Sequence, residues 1–174
     1  MFKTILVATD GSDHAKRAVG LAADLAKNHQ AKLVVLHVLG NDPLPEEDRR
    51  LVEVEFADEI KKFPGAVAPG VVHEVGMPTI IGQHRAKDEI LRELISKHLL
   101  RSVEKEIRDG GVSDVETVLE KGDPAASIIK VAAAGNADLI VLGSRGLGNL
   151  GELFLGGVSN RVSHGTDINV LIVK

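Results

Sequence analysis

Apolar positions along this chain follow two rhythms in turn. Thr4 to Thr9 (TILVAT), Lys32 to Leu39 (KLVVLHVL), Asp138 to Leu142 (DLIVL) and Asn169 to Val173 (NVLIV) are short, nearly continuous apolar runs rich in β-branched residues. Runs of this length and content predict strands buried on both faces, as in a parallel sheet. Val115 to Glu120 (VETVLE) is less apolar and alternates, which suits an edge strand. Between the strands the period changes. Ala15, Ala18, Val19, Ala22, Leu25 and Ala26 recur at helical spacing after the first strand, with Ser12 or Asp13 placed to cap the start. Leu91, Ile95, Leu99, Val103 and Ile107 form an i, i+4 stripe from about Lys87 to Asp109, widened by Ile90 and Leu94 and ended by Gly110 and Gly111. Asp123 and Pro124 open a helix through Val131, with Pro in the first turn where its missing N–H is harmless, and Gly156 to about His164 is a last short helix. Strands and helical crossovers in alternation predict an α/β fold, a single Rossmann-like domain whose parallel sheet carries helices on both faces.

One stretch interrupts the pattern. Five of the six prolines lie between Pro43 and Pro78, with Gly65, Gly70 and Gly76 among them, too many breakers for one crossover helix. The expectation is one domain over residues 1–174 carrying an insertion at about 43–82. Inside it Val52, Phe56, Ile60 and Phe63 keep helical spacing from about Asp48 to Phe63, and an irregular apolar loop to Gly82 is expected to follow. Val52, Phe56, Ile60 and Phe63 are most simply a core-facing stripe, while a loop of that length in a compact domain usually has a task, and the sharper alternatives are a lid over a ligand or part of a dimer interface.

Composition narrows the function. The chain has 174 residues, 44% hydrophobic and 26% charged, with a net charge of −4 and no cysteine. Acidic and basic residues are evenly mixed, so no basic stripe awaits a phosphate backbone, and aromatics at 2%, all Phe, offer no platform for stacking bases. Nucleic acid is therefore set aside as a partner. The absence of cysteine excludes disulfides and thiolate chemistry and fits a reducing compartment. Met1-Phe2-Lys3 leads directly into a strand, without the apolar stretch of a membrane or secretory segment, so the expected location is the cytoplasm. The seven histidines show no tight metal-ligand spacing, and Ser12-Asp13-His14 are merely consecutive, so no metal site and no catalytic residue is assigned.

The chemistry concentrates where the fourth strand ends. Gly143-Ser144-Arg145-Gly146 is followed after nine residues by Gly156-Gly157-Val158-Ser159, which opens a helix. Glycines let a backbone approach a ligand closely, successive N–H groups form an anion-binding concavity, and a helix N-terminus adds partial positive charge. Arg145 and Ser159 add charged and hydroxyl donors. Open α/β sheets bind ligands beyond the carboxyl ends of their strands, where strand order reverses; if the first and fourth strands are neighbours at that reversal, Thr9 and Asp10 face the same crevice. Asp10 can accept hydrogen bonds there from a ribose or a base.

Gly143, Gly146 and Gly156 reproduce the spacing Gly, two residues, Gly, nine residues, Gly, and with ILVATDGSDHA, LVVLHV, GDPAASII, ADLIVLGSRGLG and NVLIVK the chain resembles the universal stress protein family everywhere except the 43–82 segment. That resemblance implies a five-stranded sheet of order 3-2-1-4-5. In the nucleotide-binding branch it implies ATP, with magnesium on its phosphates, between strands one and four. Thr9 and Asp10 would lie by ribose or base, and Val38 and Leu142 would flank adenine. Gly143, Arg145, Gly146, Gly156, Gly157, Val158 and Ser159 would surround the phosphates. A homodimer through the C-terminal strand is also implied. One position departs from the family pattern: Gly157 stands where a hydroxyl residue is expected. Three functions follow: a stress-response regulator whose conformation or assembly depends on ATP, a dimeric scaffold that binds no nucleotide, and a slow ATPase.

Overall fold

The computed structural model describes residues 1–40, 80–146 and 156–174 together with Val54 and Ala57, leaving out the side chains of 80–87. Nine elements follow in order: β1 (Thr4–Ala8), α1 (Asp13–His29), β2 (Lys32–Leu39), α2 (Ile80–Asp109), β3 (Val115–Lys121), α3 (Pro124–Ala134), β4 (Leu139–Gly143), α4 (Gly157–Gly165) and β5 (Asn169–Val173). The strands form one parallel sheet in the order β3-β2-β1-β4-β5, the predicted order. β3 is an edge, as its alternation suggests. The helix expected over 48–63 and most of the loop after it lie outside the described residues. α2 begins at Ile80, seven residues before the predicted Lys87, so Gly82 is helical rather than part of a loop. A single helical glycine costs only about 1 kcal/mol against alanine, too little to break a long helix.

By contact density the chain forms two units, residues 1–40 with 98–174, and residues 41–97. In the second unit Leu91 and Leu94 are buried, and Ser96 Oγ donates to the Arg92 carbonyl at 2.7 Å within the helix. The first unit holds the sheet, and strand parity sorts its core. Ile5, Val7, Leu33, Val35 and Val141 point to one face, where they pack with Ala18, Ala22 and Ala26 of α1 and Leu100 and Ile107 of α2. Leu6, Val34, Leu36, Ile140 and Leu142 point to the other, against Ala125, Ile128 and Ala132 of α3 and Val162 of α4. Small alanines on α1 and α3 let the helices sit close to the β-branched strands.

Local signals set the boundaries. Ser12 caps α1, its Oγ accepting from the Ala15 N–H at 3.3 Å, and Gln30 ends it in the left-handed region at φ 54°. Asp123 caps α3 by accepting from the Ala126 N–H at 2.9 Å, with Pro124 in the first turn. Asp138 accepts from the N–H groups of Thr4 and Lys3 at 2.9 and 2.6 Å, and these bonds hold its carboxyl below the usual carboxylate range. The start of β4 is thereby locked to the start of β1.

At the other end of the same strands, a Cβ on Gly143 would lie 2.8 Å from the His14 carbonyl carbon and 2.9 Å from the Ala15 nitrogen. The first turn of α1 rests directly on β4, and only a residue without a side chain permits it. Gly143→Ala is expected to lose about 1–3 kcal/mol of stability through overpacking, measured by urea denaturation. Gly157→Ala, where an added Cβ meets nothing within 4 Å, is the control and should lose none.

Candidate functional site

Three strand ends and three helix starts meet at the carboxyl edge of the sheet. β1 pairs with β2 on one side and β4 on the other, and the chain leaves in opposite directions from β1 and β4, so their ends enclose the crevice where strand order reverses. A cavity of about 350 Å³ lies there. Thr9, Asp10, Val38, Leu142, Gly143, Arg145, Gly146, Gly156, Gly157, Val158 and Ser159 all line it, so the eleven residues singled out in the sequence are brought to one place.

Five further lining residues carried no such signal: Ala8, Ala15, Leu36, Pro124 and Ile128. Leu36 is two residues before Val38, hence on the same face of β2, and Ile128 is one turn beyond Pro124 on α3. With Val38 and Leu142 they give one half of the cavity an aliphatic wall. The other half is backbone, hydroxyl and charge. The walls thus suit a ligand with an apolar planar part and an anionic part.

The three motif glycines each have a packing reason. Gly143 admits α1, as described above. At Gly146 a Cβ would collide with Oδ2 of Asp10, so the carboxylate lies over the glycine. At Gly156 it would lie 3.2 Å from the Ser144 carbonyl oxygen and 3.4 Å from Arg145 Cα. The Gly156 N–H donates to that same Ser144 carbonyl at 2.8 Å, and the Ser144 N–H donates to Val173 of β5 at 2.6 Å. Helix α4 is therefore pinned to the end of β4 and β4 to β5. A Cβ at Gly157 would meet nothing within 4 Å among the described residues.

Three side chains take roles that spacing did not reveal. Ser159, buried, donates its hydroxyl proton to the Gly143 carbonyl at 2.7 Å, so the group expected to face a phosphate fastens α4 to β4 instead. Its backbone N–H remains in the first turn of α4. Gly156, the N-cap of that helix, offers no side-chain cap. The first N–H groups of a helix have no acceptor within it, so Gly157, Val158 and Ser159 present amide donors at the positive end of the helix dipole. Across the cavity, Thr9 Oγ1 accepts from the Gly11 N–H at 3.2 Å and Asp10 Oδ1 from the Ser12 N–H at 3.0 Å, while Gly11 takes φ 81° to turn the corner. Among the described residues no three His, Asp or Glu side chains gather to hold a metal ion, and no helix is long and apolar enough to cross a membrane.

The geometry so far defines a parallel α/β protein with an anion-ready crevice at its topological switch point. Comparison with known proteins assigns it: the chain belongs to the universal stress protein family, which it matches over residues 1–174. A universal stress protein of Thermus aquaticus is 33% identical over 174 residues, covering 100% of both chains. The structure of UspA from Lactobacillus plantarum superposes with a TM-score of 0.67 at 21% identity, over 99% of this chain and 97% of that one. A universal stress protein solved in complex with cAMP superposes with a TM-score of 0.61 at 26% identity, over 99% and 97%.

One exposed contact ties the rim of the cavity together. Arg161 of α4 grips Asp123 with both guanidinium nitrogens, each 2.8 Å from a carboxylate oxygen, and Asp123 is the residue before Pro124. Arg161, then the Ala126 N–H, hold the Asp123 carboxyl below its ordinary range. A lowered folded-state value contributes stability that is present above the unfolded pKa and disappears as pH falls through the folded one. Wild type should therefore be more stable than Asp123→Asn at neutral pH, and the gap in melting temperature should close as the pH drops below the carboxylate range. A gap independent of pH would show that the Arg161 contact contributes nothing.

Proposed function

We propose that this universal stress protein is a member of the nucleotide-binding branch, a regulator of the stress response whose conformation or assembly changes when ATP occupies the crevice between β1 and β4. The observation that carries the reading is the joining, in one cavity of about 350 Å³, of an aliphatic wall and an uncapped helix start. Ala8, Leu36, Val38, Ile128 and Leu142 take the adenine face, with no aromatic ring required. Asp10 and Thr9 stand by the ribose or the base edge. The amides of Gly157, Val158 and Ser159, with Arg145 and the backbone of Gly143, Gly146 and Gly156, take the phosphates. The cAMP held by a solved relative supports an adenine ligand. Magnesium would ride on phosphate oxygens. Regulation of this kind needs no turnover, only a difference in nucleotide affinity between two states.

The same reading makes the protein cytoplasmic and treats residues 43–82 as an insertion in one domain, a lid or dimer contact. β5 is an edge strand whose Val170, Leu171, Ile172 and Val173 are half-buried, and pairing it with a second copy would cover an apolar edge. A scaffold that binds no nucleotide is the second reading. It is favoured by the packing reasons that Gly143, Gly146 and Gly156 have without any ligand.

Isothermal titration calorimetry with ATP, AMP and cAMP, magnesium present, separates the two. Heat with saturable stoichiometry is expected, and no heat or thermal shift at millimolar nucleotide would leave the scaffold. Phosphate release from ATP at steady state tests the slow ATPase. Two substitutions then probe the site. Gly157→Ser enters open space and restores a hydroxyl beside the phosphates, so nucleotide should bind roughly two- to tenfold tighter, the worth of one hydrogen bond of about 0.5–1.5 kcal/mol. Gly156→Val pushes against Ser144 and Arg145, displaces the start of α4 and should abolish binding.

A further inference from the structure

We infer that His37 is a positioning residue for this cavity: its imidazole holds the Thr9 carbonyl, and through it the Thr9–Asp10 corner, in the geometry that receives a nucleotide. The inference rests on the reading of the cavity as a nucleotide site. His37 Nδ1 lies 2.7 Å from the Thr9 carbonyl oxygen. A carbonyl only accepts, so Nδ1 carries the proton and donates it in the neutral and charged rings alike. The bond is short and joins a residue of β2 to the residue that follows β1.

Its placement explains why a side chain is needed. The β1–β2 register ends at Ala8 opposite Leu36, which sets His37 opposite Thr9. The Thr9 N–H still donates to the Leu36 carbonyl at 2.9 Å, and then the chain leaves the sheet through Gly11 at φ 81°. At this departure the His37 ring supplies a donor to the Thr9 carbonyl. It does so from behind, because His37 has the parity of Leu33 and Val35, which pack against α1, while Leu36 and Val38 face the cavity. Thr9, 5% exposed, is thus held at three atoms: N–H by Leu36, carbonyl by His37, and Oγ1 by the Gly11 N–H at 3.2 Å. Asp10 follows directly, its Oδ1 fixed by the Ser12 N–H and its Oδ2 over Gly146. Removing the donor leaves a buried carbonyl seeking a new partner, which it can gain only by moving the corner.

Asparagine and glutamine distinguish this role from bulk packing. The Asn amide N–H falls near the position of Nδ1, whereas Gln carries it one bond further out. In His37→Asn the affinity for ATP or AMP should stay within about threefold of wild type, and in His37→Gln and His37→Leu it should fall about tenfold or more, the loss of a bond to a buried acceptor. Wild-type affinity in the Gln and Leu variants, or equal loss in all three, overturns the inference. Hydrogen exchange of the ligand-free proteins probes the same corner without nucleotide. The Gly11 and Ser12 amides should exchange about tenfold faster in His37→Gln and His37→Leu and as in wild type in His37→Asn, with α3 amides unchanged in all. Unaltered exchange at Gly11 and Ser12 overturns the positioning role. If wild type binds no nucleotide, the proposed function fails while this exchange pattern still decides what His37 does.

Discussion

Contact between the first turn of α1 and the last residue of β4 is the constraint on which the site depends. The backbone of His14 and Ala15 occupies the space a side chain at position 143 would need. β1 and β4 pair directly in the sheet, and at their ends Asp10 lies over Gly146. From there the bonds run outward: Ser159 to the Gly143 carbonyl, Gly156 to the Ser144 carbonyl, and Ser144 to Val173. The absent side chain at 143 thus permits the close seating of α1 on β4, beside strands whose spacing the backbone ladder sets.

The consequence is a cavity whose described walls are braced by contacts within the protein itself. Each motif glycine meets protein atoms, and the hydroxyl of Ser159 has a protein acceptor. An ordered site lowers the entropy that binding must overcome, so backbone amides already in place at the start of α4 are worth more than the same groups on a free loop. It also divides the labour. Side chains hold the frame, through Ser159, Asp123 with Arg161, and Asp10 with Ser12, while Gly157, Val158 and Ser159 line the cavity. At Gly157 an added Cβ meets nothing within 4 Å among the described residues, so the described frame makes no demand there.

Most of the fold was legible because continuous β-branched runs such as KLVVLHVL have one good burial, between two layers of helix. The edge role of VETVLE followed from its alternation. The start of α2 was not legible: Pro78 and Gly82 suggested loop, and helix begins between them. At the site, glycine spacing and strand ends pointed to nine of the lining positions and the family resemblance to Val38 and Leu142, since glycine and strand termini leave marks in sequence. Leu36 and Ile128 left none, because an aliphatic residue that walls a cavity reads like one in the core. The direction of the Ser159 hydroxyl and the reach of the His37 ring depend on strand separation and parity, which appear only when the sheet is assembled.

The central claim is one of place, that an adenine nucleotide lies between β1 and β4 with its phosphates on the start of α4. Amide NMR during titration with ATP and magnesium tests it most directly. The amides of Thr9 to Gly11, Gly143 to Gly146 and Gly157 to Ser159 should shift together and saturate with one dissociation constant, while those of β3 stay still. Saturable shifts confined to other elements, or none up to millimolar ATP, would contradict it.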